Sequence, residues 1–191
     1  MKTKKIAVIV GSLRKEAFSK KTARTLITMA PTFFEMEVVE LGDLLMYNQD
    51  LDDEGTPPEG WTTFRDTMKK FDGFLFITPE YNRSIPALLK NAIDVGSRPF
   101  GKSVWDGKPG AVVSTSPGRL CGFGANHHLR QCMVFVNVPM MQQPEAYLGN
   151  VATIFDENGV LIDENSQKFL QKFMDSFVSW VYTNSSSAPR I

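Results

Sequence analysis

Lys5-Ile6-Ala7-Val8-Ile9-Val10, followed at once by Gly11-Ser12-Leu13-Arg14, is the stretch that decides the fold. Five apolar residues run together without alternation, and four of them are β-branched. A strand with one wet face alternates apolar with polar, whereas a strand buried on both faces does not. Two-sided burial points to a parallel sheet covered by helices. The residues around it keep that rhythm. Helical spacing runs over 18–29, stopped by Pro31, and a second strand is expected over 37–41. A helix over 61–71 carries Trp61, Phe64, Met68 and Phe71 on one face, and a third strand over 73–78 ends at Pro79. Helix 85–95, strand 111–115, helix 126–136, a fifth strand over 139–142 and a terminal helix over 166–182 complete the alternation. Residues 151–155 and 160–161 flank Asp156-Glu157-Asn158-Gly159 as the arms of a hairpin, and 50–60 reads as a surface excursion whose acidic residues are solvated.

Strands alternating with helices define an α/β domain, with right-handed crossovers and ligands beyond the carboxyl ends of the strands. The chain has 191 residues, about one domain's worth, expected to span 1–183 with a frayed tail at 184–191. Hydrophobic residues make up 42% and charged residues 22%, as in globular proteins, and 21 basic residues balance 21 acidic ones. That balance argues against a nucleic-acid or anionic-membrane partner. The basic start, Met1 to Lys5, precedes an apolar run too short for a secretory signal or a membrane helix, so a cytoplasmic location is expected. Cys121 and Cys132 are the only cysteines and make no disulfide framework. His127 and His128 are adjacent, face different sides of a helix and lack further ligands at suitable spacing, so no metal is expected.

Three loops after strand ends can carry chemistry. In the first, Ser12 and Ser19 offer hydroxyls, Arg14 a forked cation, and the start of a helix free N–H groups, a set that suits a phosphate. The same residues also fit an ordinary strand-to-helix turn capped by Ser19. Neither the Walker A spacing nor G-x-G-x-x-G is present. The second loop, Pro79-Glu80-Tyr81-Asn82-Arg83-Ser84-Ile85-Pro86, is stiffened by proline at both ends. It offers backbone polar groups and an aromatic wall to a flat ring, or simply a Pro-bounded turn. The third, Ser114 to Gly124, is small and glycine-rich. It fits either close backbone approach to a ligand or a flexible connection. G-x-S-x-G is absent, which argues against a hydrolase.

Gly11-Ser12-Leu13-Arg14, Pro79-Glu80-Tyr81-Asn82 with Ser84 and Pro86, Leu89-Lys90-Asn91-Ala92-Ile93-Asp94 with Ser97-Arg98, His128-Leu129-Arg130-Gln131 and Gln143-Pro144-Glu145 occur in that order. Together they resemble the NAD(P)H-dependent FMN reductase family, in its quinone and chromate reductase branch. The resemblance implies a flavodoxin-like sandwich with a five-stranded parallel sheet in the order 2-1-3-4-5. It implies non-covalent FMN, with the phosphate on Ser12, Arg14, Phe18 and Ser19, and the ring against Pro79, Glu80, Tyr81, Asn82 and Ser116. It further implies NADPH or NADH as donor, a quinone, chromate or free flavin as acceptor, and a homodimer or homotetramer. The chain departs from the family pattern at Ala17, Ser19, Arg83, Cys121, Gly122 and Gly124. Ala17 and Ser19 remove one hydroxyl and one amide from the phosphate region. An electron carrier of flavodoxin type, or a flavin-free regulatory protein, would use the same fold. Flavodoxins are strongly acidic, and the zero net charge argues against the former.

Overall fold

The structure, a computed structural model, describes residues 2–185. In chain order the elements are β1 (Lys4–Val10), α1 (Phe18–Met29), β2 (Phe34–Val39), α2 (Gln49–Asp53), α3 (Glu59–Lys69), β3 (Gly73–Pro79), α4 (Ala87–Gly96), β4 (Gly110–Thr115), α5 (Phe123–Phe135), β5 (Ala146–Leu148), α6 (Val151–Ile154) and α7 (Glu164–Asn184). The five strands form one parallel sheet in the order β2-β1-β3-β4-β5, as the sequence leads one to expect.

The unbroken apolar strands are explained by two cores. Ala7 and Ile9 of β1, with Phe74 and Phe76 of β3, pack on one face against Trp61, Met68, Leu89, Trp105 and Leu129. Ile6, Val8 and Val10, with Leu75 and Ile77, pack on the other against Leu26, Phe173 and Phe177. Successive side chains of a strand point to opposite faces, so a strand feeding both cores has no polar position to spare. No described helix is long and apolar enough to cross a membrane.

Four expectations need correction. The second strand is Phe34–Val39 rather than 37–41. It is an edge strand, and its Glu35 and Glu37 side chains are solvated, which breaks the apolar pattern. The fifth strand is Ala146–Leu148, paired with Val113 to Thr115. Segment 139–142 reaches the sheet only through a single parallel bridge between Met140 and Gly110. Pro139 cannot donate to a ladder, and Pro144 interrupts the chain before β5 begins. Residues 151–154 form the short helix α6, although Phe155 and Leu161 still pair in an antiparallel bridge across the expected turn.

The stretch 50–60 is the largest departure. It contains α2, capped by the Asn48 side chain, which accepts from the Asp50 N–H. Asp52 is not solvated at all. Its two oxygens receive both terminal nitrogens of Arg65 at 2.7 Å, with the side chains only 4% and 7% exposed. The Arg65 hydrogen bonds and charge hold the Asp52 carboxyl below the usual carboxylate range, against the opposing effect of burial. Arg65 also donates from Nε to the Val95 carbonyl, tying α2, α3 and α4 together. Helix α7, capped by Asp163, runs one residue past the expected boundary at 183, and residues 186–191 of the expected tail lie outside the described residues.

Candidate functional site

Three loops leave the carboxyl edge of the sheet after β1, β3 and β4, the central strands. They enclose a cavity of about 270 Å³ lined by Ser12, Arg14, Ala17, Phe18 and Ser19, by Pro79, Glu80 and Tyr81, and by Thr115, Ser116, Pro117 and Val151. Eight of the nine residues singled out from sequence therefore meet in one place, Asn82 being the exception.

The first loop is held close to the second. A Cβ on Gly11 would stand 3.1 Å from Pro79 Cδ and 3.5 Å from Thr78 Oγ1, so glycine serves here for space, not for a left-handed turn. Ser12 is buried and its hydroxyl accepts, at 3.4 Å, from the Arg14 N–H. Helix α1 starts behind Ala17, an N-cap with no side-chain cap bond. Its first N–H groups lack intrahelical partners, and the positive end of the helix dipole faces the loop. Ser19 is not the cap that the sequence allows. It lies inside the first turn, 1% exposed, and its hydroxyl is buried without a hydrogen-bond partner. Buried polar groups are nearly always satisfied, so an orphan hydroxyl in a cavity wall points to a ligand atom. The exposed Arg14 guanidinium makes no polar contact among the described residues. An uncapped helix start, an orphan hydroxyl and a free forked cation fit a phosphate monoester.

The second loop is a tight hairpin. Tyr81 and Ser84 exchange both backbone hydrogen bonds, N to O at 2.9 and 3.0 Å. Between them Asn82 and Arg83 both adopt left-handed conformations, with φ of +51° and +69°. Two such residues make a type I′ turn, which asparagine tolerates well and arginine poorly. Asn82 thus shapes the turn instead of lining the cavity. Glu80, 11% exposed at its side chain, accepts the Ala125 N–H at 3.1 Å. Ala125 is in the first turn of α5, whose own N-cap, Gly122, offers no side chain. Ser84 Oγ lies 2.7 Å from His128 Nδ1, one turn further along the same helix. Gly124 completes the join, because a Cβ there would stand 2.8 Å from the Arg83 carbonyl oxygen. Second loop and α5 form one rigid unit.

The third loop is ordered by its own polar groups. Ser116 Oγ accepts the Gly118 N–H at 3.1 Å, and Ser114 Oγ donates to the Cys121 carbonyl at 2.8 Å. His127 faces away from His128, as their adjacency predicts. Its Nε2 lies 2.8 Å from the Tyr147 hydroxyl and 3.8 Å from Glu145. Burial first, then the Glu145 carboxylate, pushes the Tyr147 phenol up to about 12. No described group of three or more His, Cys, Asp or Glu side chains could hold a metal ion.

Ala17, Thr115, Pro117 and Val151 also line the cavity, and Ala17 is legible in the sequence as a departure from the family pattern beside the phosphate region. Thr115 and Pro117 flank Ser116 and were legible as neighbours. Val151 was not, because it arrives from the start of α6, behind a left-handed Asn150.

A doubly wound parallel sheet with an anion cradle ahead of its first helix defines a flavodoxin-like protein. The chain belongs to the NADPH-dependent FMN reductase family, whose model matches residues 4–153. Its relatives include a quinone reductase of Pseudomonas putida, 56% identical over 179 residues that cover 94% of this chain and 95% of that protein. A 2-hydroxy-1,4-benzoquinone reductase of a Burkholderia species is 44% identical over 93% of this chain and 96% of its own. Among solved structures, FerB, a flavoenzyme NAD(P)H:(acceptor) oxidoreductase from Paracoccus denitrificans, superposes with a TM-score of 0.89. It is 40% identical and is covered in full by 96% of this chain.

Proposed function

We infer that the chain is an FMN-dependent NAD(P)H:quinone oxidoreductase. The observation that carries this reading is the cradle at the head of α1, where the buried Ser19 hydroxyl has no partner. Ser12 and Ser19 would donate to the FMN phosphate, Arg14 would neutralise it, and the free N–H groups of Phe18 and Ser19 at the helix start would add to its binding. Pro79, Glu80 and Tyr81 form the wall for the flavin ring, and Ser116 the opposite rim. Asn82 contributes by fixing the turn that carries Tyr81. FMN supplies the chemistry when bound, taking a hydride from NADPH or NADH and passing two electrons to a quinone. The protein binds and orients the reactants. Glu80 has a positioning duty in this account, since its side chain accepts the Ala125 N–H of α5.

The acceptor is of the quinone class, which the names of the relatives support. We place the enzyme in the cytoplasm as a homodimer or homotetramer. Exposed Phe100, Val134 and Phe135, 91%, 78% and 86% accessible in the single chain, favour association over a free monomer.

Flavin titration tests the cradle. It offers one phosphate pocket and no second glycine for a pyrophosphate, so FMN binds more tightly than FAD. Equal or tighter FAD binding would place the phosphate elsewhere.

A further inference from the structure

We propose that Arg83 is a donor-recognition residue, holding the phosphate groups of the nicotinamide dinucleotide at the rim of the cavity. The inference rests on the reductase reading and deepens it.

Arg83 occupies the second turn position with φ +69°, where a side chain is strained and glycine is the usual choice. Strain of this kind persists when the surroundings enforce it, and it clusters where a ligand is handled. The enforcement is visible. The turn is closed by two backbone bonds, anchored through Ser84 to His128, and seated against Gly124. The Arg83 side chain is nevertheless 73% exposed. Its only described polar contact is a marginal one, Nη1 to Glu80 Oε1 at 3.5 Å, and the Glu80 carboxylate also receives the Ala125 N–H through its other oxygen. A guanidinium has five N–H donors, so four remain for a ligand. The result is an exposed forked cation carried on a held turn, two residues from Tyr81, which lines the cavity and is itself half exposed.

The reactants decide what that cation meets. A quinone head is neutral and reacts inside the cavity. The dinucleotide also places a ring inside, but its phosphates trail away from the reacting end toward solvent. A cation on the rim, not the floor, suits trailing phosphates and is of no use to a quinone. Arg14 is committed to the cofactor phosphate.

The test uses the FMN-loaded enzyme with Arg83→Gly, which suits the turn, and Arg83→Lys, which keeps the charge. NADP+ binding is followed by fluorescence without turnover, and KM and kcat are measured with a neutral benzoquinone. Arg83→Gly is expected to weaken NADP+ binding and raise the NADPH KM about 5- to 20-fold, below the full value of a buried charged contact. FMN content, kcat at saturating donor and quinone KM should stay within twofold. Arg83→Lys should recover most of the donor affinity. A loss confined to NADPH assigns the 2′-phosphate, and an equal loss with NADH assigns the pyrophosphate. Unchanged NADP+ affinity and donor KM would overturn the proposal, as would a loss of FMN or of kcat, which would make Arg83 a cofactor or turn residue. A wild-type protein that binds NADP+ but reduces no quinone would instead strike the reductase reading.

Discussion

Arg14 and Glu80 are both charged residues on cavity loops, and their surroundings give them opposite duties. Arg14 is exposed and unengaged, so its charge is available to a ligand. Arg14→Ala should weaken FMN binding by about 10- to 150-fold, the worth of one charge-assisted bond at 1.5–3 kcal/mol. The melting temperature of the flavin-free protein should barely move, because the side chain supports nothing in the fold. Calorimetric titration and a thermal melt check both halves. Glu80 is engaged as a remote cap on α5. Glu80→Gln keeps an acceptor for the Ala125 N–H and should retain most quinone reductase activity. Glu80→Ala strands that N–H and should lower stability by about 1–2 kcal/mol, read from denaturant unfolding. A proton donor would lose about 10²–10⁴ in rate on either change. The sequence made Glu80 visible as a loop residue but not as a cap, because its partner lies 45 positions away.

At the scale of elements, the central strands β1, β3 and β4 were legible because burial on two faces leaves an unbroken apolar run. The edges were not. β2 mixes solvated glutamates with apolar residues, and β5 has only three residues, too few to show a period. The α2 segment misled for a different reason. An acidic run with glycine and prolines looks like a solvated loop, and only the fold brings Arg65 within 2.7 Å of Asp52. That pair gives a pH signature. The Asp52 carboxyl titrates below its ordinary value in the folded protein, so the unfolded chain takes up the proton more readily. The stabilisation is therefore complete at neutral pH and fades as pH falls below about 4. Asp52→Asn should cost roughly 3–5 kcal/mol near pH 7 by leaving Arg65 buried and unpaired. Urea unfolding of wild type and variant should show that gap narrowing as pH falls below about 4, where the unfolded chain takes up the proton before the folded one. A gap that stays constant would mean that the carboxylate charge contributes nothing.

Across the whole molecule, the sequence placed chemistry after three strands, and the sheet order brings those strand ends side by side. Eight residues legible in the sequence line one cavity for that reason. What stayed hidden is what long-range packing supplies, namely Val151 from α6 and the seating of the second loop on α5. One cavity has a kinetic consequence. With a single cavity where the three loops meet, the nicotinamide and the quinone would have to alternate at a bound flavin instead of binding together. The direct measurement is an anaerobic titration of the FMN-loaded protein, first with NADPH alone and then with a benzoquinone. One equivalent of NADPH should abolish the visible flavin absorbance with no quinone present, and one equivalent of quinone should restore it. Absorbance that NADPH leaves unchanged until quinone is added would contradict the account.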